Sequence, residues 1–428
     1  MTFAPESTIF AVLSFEGPDV YSQAGGLGVR AKELSRALAE EGYETHLFFV
    51  GDPDQPGEEA ASGGRLTLHR WSQWLSRMHR GGVYEAEDAK VVDWNRSLPS
   101  YLVDGVIEPA ARAGKPVVVL GEEWHTADSM RLIADALFYR RLRDRAVILW
   151  NANNVFGFHR INWRELEAAA TLTTVSRYMK HRMWEAGVNP IVIPNGIPAT
   201  AITDAPAADV GTVRAAAAAD LLLFKIGRFD PDKRWIMAMT AAGLLKRQGV
   251  RVRMLIRGGR EPHGADVLAH AATHGLVVEE ARSPSDLASL ARLYKAHPAA
   301  DVINLVSFLP ESLLGTIYAA SDAVLANSGH EPFGLVGLEV MAAGGLAVTG
   351  STGEDYAEAF RNAVVLETDD PLELVGALRR VRNDPPWVAR LRAQGRATAV
   401  EFTWARVLDQ LRYWLELAAM RQGVQGIT

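Results

Sequence analysis

Short apolar runs alternate with longer amphipathic stretches along nearly the whole chain. Residues 9–15, 45–50, 116–120, 146–150, 172–175 and 191–193 have strand length and few polar positions, whereas 29–41, closed by Gly42, and 127–143 place apolar residues at helical spacing. The scheme repeats with strand-length runs at 221–226, 252–257, 302–305, 323–326, 347–349 and 363–366. Runs that are apolar throughout belong to sheets covered on both faces, so the pattern predicts an α/β protein with parallel, helix-covered sheets. A Pro- and Ala-rich seam at 197–215 lacks periodicity and reads as a linker. A last helix at 404–421 carries Trp404, Val407, Leu408, Leu411, Trp414 and Leu415, an apolar face that must pack on something.

Length and composition bound the picture further. The 428 residues exceed what one core serves, since cores stop growing near about 250–300 residues. Two domains are expected, 1–198 and 199–402, with 403–428 as the final helix. Hydrophobic residues make up 48% and charged residues 22%, which excludes disorder and fibrous classes. The net charge of -6 supplies no global field for nucleic acid or anionic membrane. With no cysteine, disulfides, thiolate nucleophiles and Cys-ligated metals are excluded. No run is long and apolar enough to span a membrane, and the N-terminus lacks a signal-peptide pattern, so a cytoplasmic protein is expected. Only eight basic residues are lysine, against 37 arginines. A lysine in a loop therefore stands out.

Doubly wound sheets bind ligands at the carboxyl ends of their strands, so the chemistry belongs in loops that follow strands. Three loops qualify. Gly25-Gly26-Leu27-Gly28 opens the helix near Val29, where glycines let main-chain N–H groups approach a phosphate and the helix dipole adds positive potential. From Gly26 the stretch satisfies G-x-G-x-x-A, the weak basis of an alternative reading as an NAD-dependent oxidoreductase. Next, Arg228 and Lys233 flank Asp230-Pro231-Asp232 after the 221–226 run, a guanidinium and an ammonium able to converge on a diphosphate. Last, Glu331 and Glu339 in Glu331-Pro332-Phe333-Gly334-Leu335-Val336-Gly337-Leu338-Glu339 follow the 323–326 run and bracket a helix start, so both carboxylates are expected along one groove, where they can accept hydrogen bonds from sugar hydroxyls.

The E-x7-E pair Glu331 and Glu339, with Arg228 and Lys233 upstream and Gly25 to Gly28 near the N-terminus, resembles the retaining nucleotide-sugar glycosyltransferases of the GT-B fold, glycosyltransferase family 4 in particular. The stretches 349–354, 362–366, 369–371 and 402–404 extend the likeness. It implies two Rossmann-like domains facing an interdomain cleft, with the C-terminal helix crossing back to the N-terminal domain. It also implies that Arg228 and Lys233 hold the donor diphosphate, helped by main-chain N–H groups around Phe333, Gly334 and Leu335. Glu331 would meet hydroxyls of the donor sugar, Glu339 the ribose, and Gly25 and Gly26 the diphosphate. His125, after the 116–120 run, resembles the histidine such enzymes set beside the reacting sugar. The implied activity is retaining transfer of a hexosyl group, glucose favoured, from a nucleoside-diphosphate sugar to a small-molecule or saccharide acceptor, with no cofactor.

Two features depart from the family. Gln23 stands where glycogen and starch synthases carry a lysine, and the segment 280–300 looks unusual. No Asp-x-Asp lies in a convincing metal loop, since Asp52-Pro53-Asp54 and Asp230-Pro231-Asp232 read as turns, so metal independence is expected. A non-catalytic sugar-nucleotide-binding protein is the other alternative. Nucleic-acid binding has only 139–145 and the Arg/Trp-rich span 65–80 behind it; in the latter Trp71, Trp74, Leu75 and Met78 recur at helical spacing, which predicts a packed amphipathic helix.

Overall fold

A computed structural model describes residues 3–424. The chain forms two compact units, one from Met1–Pro198 with Trp404–Thr428, the other from Ala199–Thr403. The first contains β1 (Ile9–Leu13), β2 (Glu44–Val50), β3 (Glu58–Ala61), β4 (Leu66–Trp71), β5 (Val117–Glu122), β6 (Ala146–Ala152), β7 (Thr171–Thr174) and β8 (Ile191–Val192). They lie in the order β3-β4-β2-β1-β5-β6-β7-β8, parallel except for the β3–β4 edge pair. The second contains β9 (Leu221–Ile226), β10 (Val252–Arg257), β11 (Val278–Ala281), β12 (Val302–Leu305), β13 (Ala323–Ala326), β14 (Ala347–Thr349) and β15 (Val364–Val365), ordered β11-β12-β10-β9-β13-β14-β15. Each is a helix-covered α/β sheet.

Every residue of β1, Ile9 to Leu13, is buried, as a strand covered on both faces requires. The helix Gly26–Glu40 turns Leu27, Ala31, Leu34 and Leu38 inward, positions three, four and seven apart. Gly42, at φ +101°, ends that segment in a conformation costly for other residues. The final helix, Trp404–Gln422, buries Trp404, Val407, Leu408, Leu411 and Leu415 in the same core as Phe10, Val12, Leu34 and Leu38 of the first unit. Its entry is tight: a Cβ on Gly196 would lie 2.5 Å from the Trp404 ring, and the Trp404 N–H donates to the Ile197 carbonyl at 2.9 Å. At the far end the Gln422 amide accepts from the Ile148 N–H (2.9 Å) and donates to its carbonyl (2.8 Å), matching a strand neighbour.

Four expectations are corrected. The span 65–80 is not one packed helix but β4 followed by the short helix Gln73–Met78, with Leu75 buried and Trp74 and Met78 57% and 61% exposed. The free edge of β2 recruits residues 66–71 in parallel register, Thr45 beside Leu66 through Val50 beside Trp71, and this long-range pairing overrides the local period. The seam at 197–215 is partly helical, Ala207–Ala217, whose buried contacts are chiefly Val213 and Ala217. The helix expected to reach residue 143 stops at Tyr139, and Arg141 takes φ +59°. Within the basic run 139–145, Arg140 pairs with Asp104 at the surface, and Arg143 donates to the carbonyls of Ala146 and Ala169 and to Gln422. The unusual segment 280–300 supplies the end of β11 and the helix Leu287–Ala296, opened by an Asp286–Ser289 capping box. No helix among the described residues is long and apolar enough to cross a membrane.

Candidate functional site

Strand order reverses between β1 and β5 in the first unit and between β9 and β13 in the second. Loops leaving adjacent strands there part to opposite faces and leave a crevice at the carboxyl ends. The sequence-expected residues follow these four strands.

In the second unit, β9 runs out at Ile226 into Gly227, at φ +149°, and then Arg228. The Trp235 indole holds the Arg228 carbonyl at 2.8 Å, while the guanidinium is 64% exposed with Asp230 4.0 Å away. The Asp230 carboxylate accepts the Asp232 N–H at 2.9 Å, an Asx turn that brings Lys233 back toward the strand tip. The loop after β13 is tied to this turn by the Gly329 N–H, 2.6 Å from the Asp232 carbonyl. Lys233 and Glu331 form an ion pair, and Ser328 donates to the same Glu331 oxygen at 2.9 Å. Thus residues 98 positions apart in sequence meet at one switch point.

Gly334 adopts φ +78° at the N-cap of the helix Leu335–Ala342, with no side chain capping it. The first-turn N–H groups of such a helix carry positive potential for an anion. Leu335 is the first residue of that turn. Phe333 departs from expectation: its ring is buried against Tyr356 and Phe402, so only its main chain could serve a ligand. Glu339 does not share partners with Glu331; its carboxyl takes the Tyr318 hydroxyl at 3.4 Å. It keeps some exposed surface, yet the dense protein around it raises its pKa to about 7, burial being the dominant cause.

The first unit arranges its loops differently. Glu16, buried after β1, accepts the main-chain N–H groups of Ala24 (3.1 Å), Gly25 (2.8 Å) and Gly28 (3.1 Å) through one oxygen and the Tyr84 hydroxyl (2.5 Å) through the other. The Gly25 N–H is therefore already taken by a carboxylate, which corrects its expected role at a phosphate. Gly26 has open space around its Cα. Gly28 has none, since a Cβ would sit 3.1 Å from both Glu16 and the Gly17 carbonyl.

His125 is buried between the rings of Phe15 (4.1 Å) and Trp124 (4.0 Å). One ring nitrogen lies 2.8 Å from Glu87, and the other, Nδ1, is buried without a hydrogen-bond partner among the described residues. Burial lowers its pKa, against the pull of Glu87.

Sequence reasoning missed Glu16, the Glu122–Glu123 pair and Lys225. Glu122 receives a buried Arg30 guanidinium at 3.1 Å and the side-chain amides of Asn151 and Asn153. Its neighbour Glu123 adopts φ +67°, a strained conformation for a non-glycine residue, and accepts the N–H groups of Asn153 (2.6 Å) and Asn154 (3.0 Å). Burial raises its carboxyl to about 8. Lys225, wholly inside the second unit, donates to the Leu325 carbonyl (3.1 Å) and Asn327 (2.6 Å), with burial pushing its pKa well below the usual lysine range. None carried a local signal: each is one charged residue inside or beside an apolar run. Both Asp-Pro-Asp stretches are Asx turns, with Asp52 and Asp230 each accepting the N–H two residues on at 2.9 Å.

Comparison with known proteins adds the family context. A model described as Glycosyltransferase Family 4 matches residues 24–200, and one described as Glycosyl transferases group 1 matches residues 214–398. The D-inositol 3-phosphate glycosyltransferase of Rhodococcus erythropolis is 28% identical over 433 residues, 91% of this chain and 85% of that protein. Among solved structures, sucrose-phosphate synthase from Thermosynechococcus elongatus superposes with a TM-score of 0.65 at 20% identity, covering 96% of this chain and all of that one. Anabaena HepE in complex with UDP and glucose does so with 0.61 at 14%, covering 95% and 99%.

Proposed function

Because this chain belongs to the GT-B glycosyltransferases of the family 4 type, we propose that it transfers a hexosyl group, glucose favoured, from a nucleoside-diphosphate sugar to a hydroxyl of a small molecule or saccharide, with retention of configuration and without a metal. The observation that carries this reading is the convergence at the β9–β13 switch point of Lys233, Glu331 and an uncapped helix start, with the largely exposed Arg228 on the same loop as Lys233. Two cations and a helix dipole suit a diphosphate, and they can stabilise the negative charge that develops on the departing nucleoside diphosphate. Glu331 then accepts hydroxyls of the donor sugar, and Glu339 those of the ribose. His125, with Nδ1 unpartnered, is proposed to take a hydroxyl of the transferred sugar. Gly26 is the glycine left for the diphosphate on the first unit. HepE with UDP and glucose, at the same fold, supports a donor of this class.

Thermal-shift screening of UDP-, GDP- and ADP-sugars tests the donor, since a ligand that binds only the folded state raises stability by RT ln(1 + [L]/Kd). Proton NMR of the first product reads the anomeric configuration. Failure of every sugar nucleotide to bind would sink the donor assignment. Activity lost in EDTA and restored by Mg2+ or Mn2+ would sink metal independence.

A further inference from the structure

One buried acid of the second unit has no part in the reading above. Glu354, 5% exposed, lies in the turn after β14, and its Oε1 is buried without a hydrogen-bond partner among the described residues. Its Oε2 receives only long contacts, from the Thr352 N–H (3.3 Å) and hydroxyl (3.4 Å). That same hydroxyl accepts the main-chain N–H of Glu331 at 2.9 Å and lies 3.3 Å from the Glu331 carbonyl, so its one proton is shared between that carbonyl and Glu354 while the Thr352 N–H stays on Glu354. Thr352 therefore links the two acids.

The turn fits the loop after β13 without slack. A Cβ on Gly353 would lie 2.1 Å from the Glu331 carbonyl and 2.3 Å from that of Pro332, and one on Gly350 would lie 2.1 Å from the Ser328 carbonyl. A Cβ on Gly334 would meet Glu354 Cγ at 2.8 Å and Glu331 Cγ at 3.0 Å, so the two acidic side chains flank the glycine that caps the helix. The Tyr356 hydroxyl donates to the Gly334 carbonyl from the same side.

The charged and titratable groups facing Glu354 are Glu331, Lys233 and Tyr356. Burial and then the Glu331 charge raise the Glu354 carboxyl to about 8, against the pull of Lys233.

We propose that Glu354 is a positioning residue of the donor site: packed against the Gly334 cap beside Glu331 and joined to it through Thr352, it holds the Glu331 main chain in place. Ionised, Glu354 would compete with the donor diphosphate for Lys233. The inference rests on the assignment of Lys233 and Glu331 to a nucleotide-sugar donor.

The test compares wild type, Glu354→Gln and Glu354→Ala by UDP-glucose calorimetry and by kcat and KM from pH 6 to 9.5, with circular dichroism as a check of folding. Glu354→Gln should keep kcat at pH 7 within about threefold and abolish the wild-type fall in kcat/KM above about pH 8, because the amide cannot ionise. Glu354→Ala should lower kcat by about tenfold or more with little change in donor Kd, as expected when a reacting geometry loosens. Wild-type kcat in the Ala variant, or an alkaline limb unchanged in the Gln variant, would overturn the proposal. If the Ala variant does not fold, the alkaline limb of Glu354→Gln decides alone. If wild-type protein binds neither UDP-glucose nor any other sugar nucleotide, the donor assignment fails and this inference with it; binding by wild type with both variants unaffected refutes the positioning role only.

Discussion

The two units solve the same topological problem with opposite electrostatics. Each places loops at the carboxyl ends of two strands where the order reverses, and each opens a helix from a glycine there. In the first unit the glycine loop is closed on itself, three of its N–H groups being satisfied by Glu16. In the second the helix start at Gly334 has no side-chain cap, and the half-buried Lys233 pairs with Glu331, whose Cγ lies beside Gly334. A helix N-terminus attracts an anion in either case. What differs is where the nearby acid is spent: Glu16 takes the loop N–H groups of the first unit, whereas Glu331 beside Gly334 pairs with Lys233 and Ser328, and the helix start left to a diphosphate is the second.

The largest expected effect is at Lys233. Replacement by Ala removes a preorganised donor and should lower turnover by about 10²- to 10³-fold, read from steady-state kinetics; near-wild-type turnover would erase the functional difference between the two switch points. Second, Glu16→Ala leaves three loop N–H groups without their acceptor and should destabilise the protein by about 1–3 kcal/mol in urea unfolding. If it instead left stability unchanged, water would serve those groups as well as Glu16 does, and the first loop would be as open as the second. Third, Arg228 is solvated, so its loss should weaken donor binding by no more than about fivefold, the range of an exposed charge contact, measured by calorimetry. The remaining effect, read as a pH dependence, concerns Glu123. Its folded-state pKa, about 8, lies above the ordinary 4.5, so between these values the folded protein keeps a proton that the unfolded chain releases. Wild-type stability should therefore fall relative to Glu123→Gln as pH rises from about 4.5 to about 8 and run parallel above it; melting curves across that range test the sign.

Local pattern accounts for much of the fold but not all of it. Strands 221–226, 252–257, 302–305, 323–326 and 347–349 are legible because central parallel strands are mostly apolar, with only isolated polar residues such as Lys225, Arg253 and Asn304. Two strands at one end of the first sheet are not: Glu58–Ala61 is polar and largely exposed, and Leu66–Trp71 mixes Leu66 and Leu68 with Thr67, His69 and Arg70, which pair with β2 and β3 only once the sheet exists. The helix 207–217 was hidden because a run of alanines carries no amphipathic period.

The site divides along the same line. Arg228, Lys233 and Glu331 are legible because a charged group in a glycine- or proline-marked loop after an apolar run has few structural reasons to be there, and Glu339 because it is a lone acid in the apolar helix Leu335–Ala342. The sequence by itself determined the α/β alternation, the position of these loops at strand ends and the kinds of charge they carry, since all three depend on residues close together along the chain. Only the tertiary structure decided that Glu16 closes the first glycine loop, that Phe333 faces a core of Tyr356 and Phe402, and that Lys233 pairs with Glu331. Each of these depends on which strands become neighbours. That is settled by burial across the whole sheet, a sum over distant residues that no local window contains.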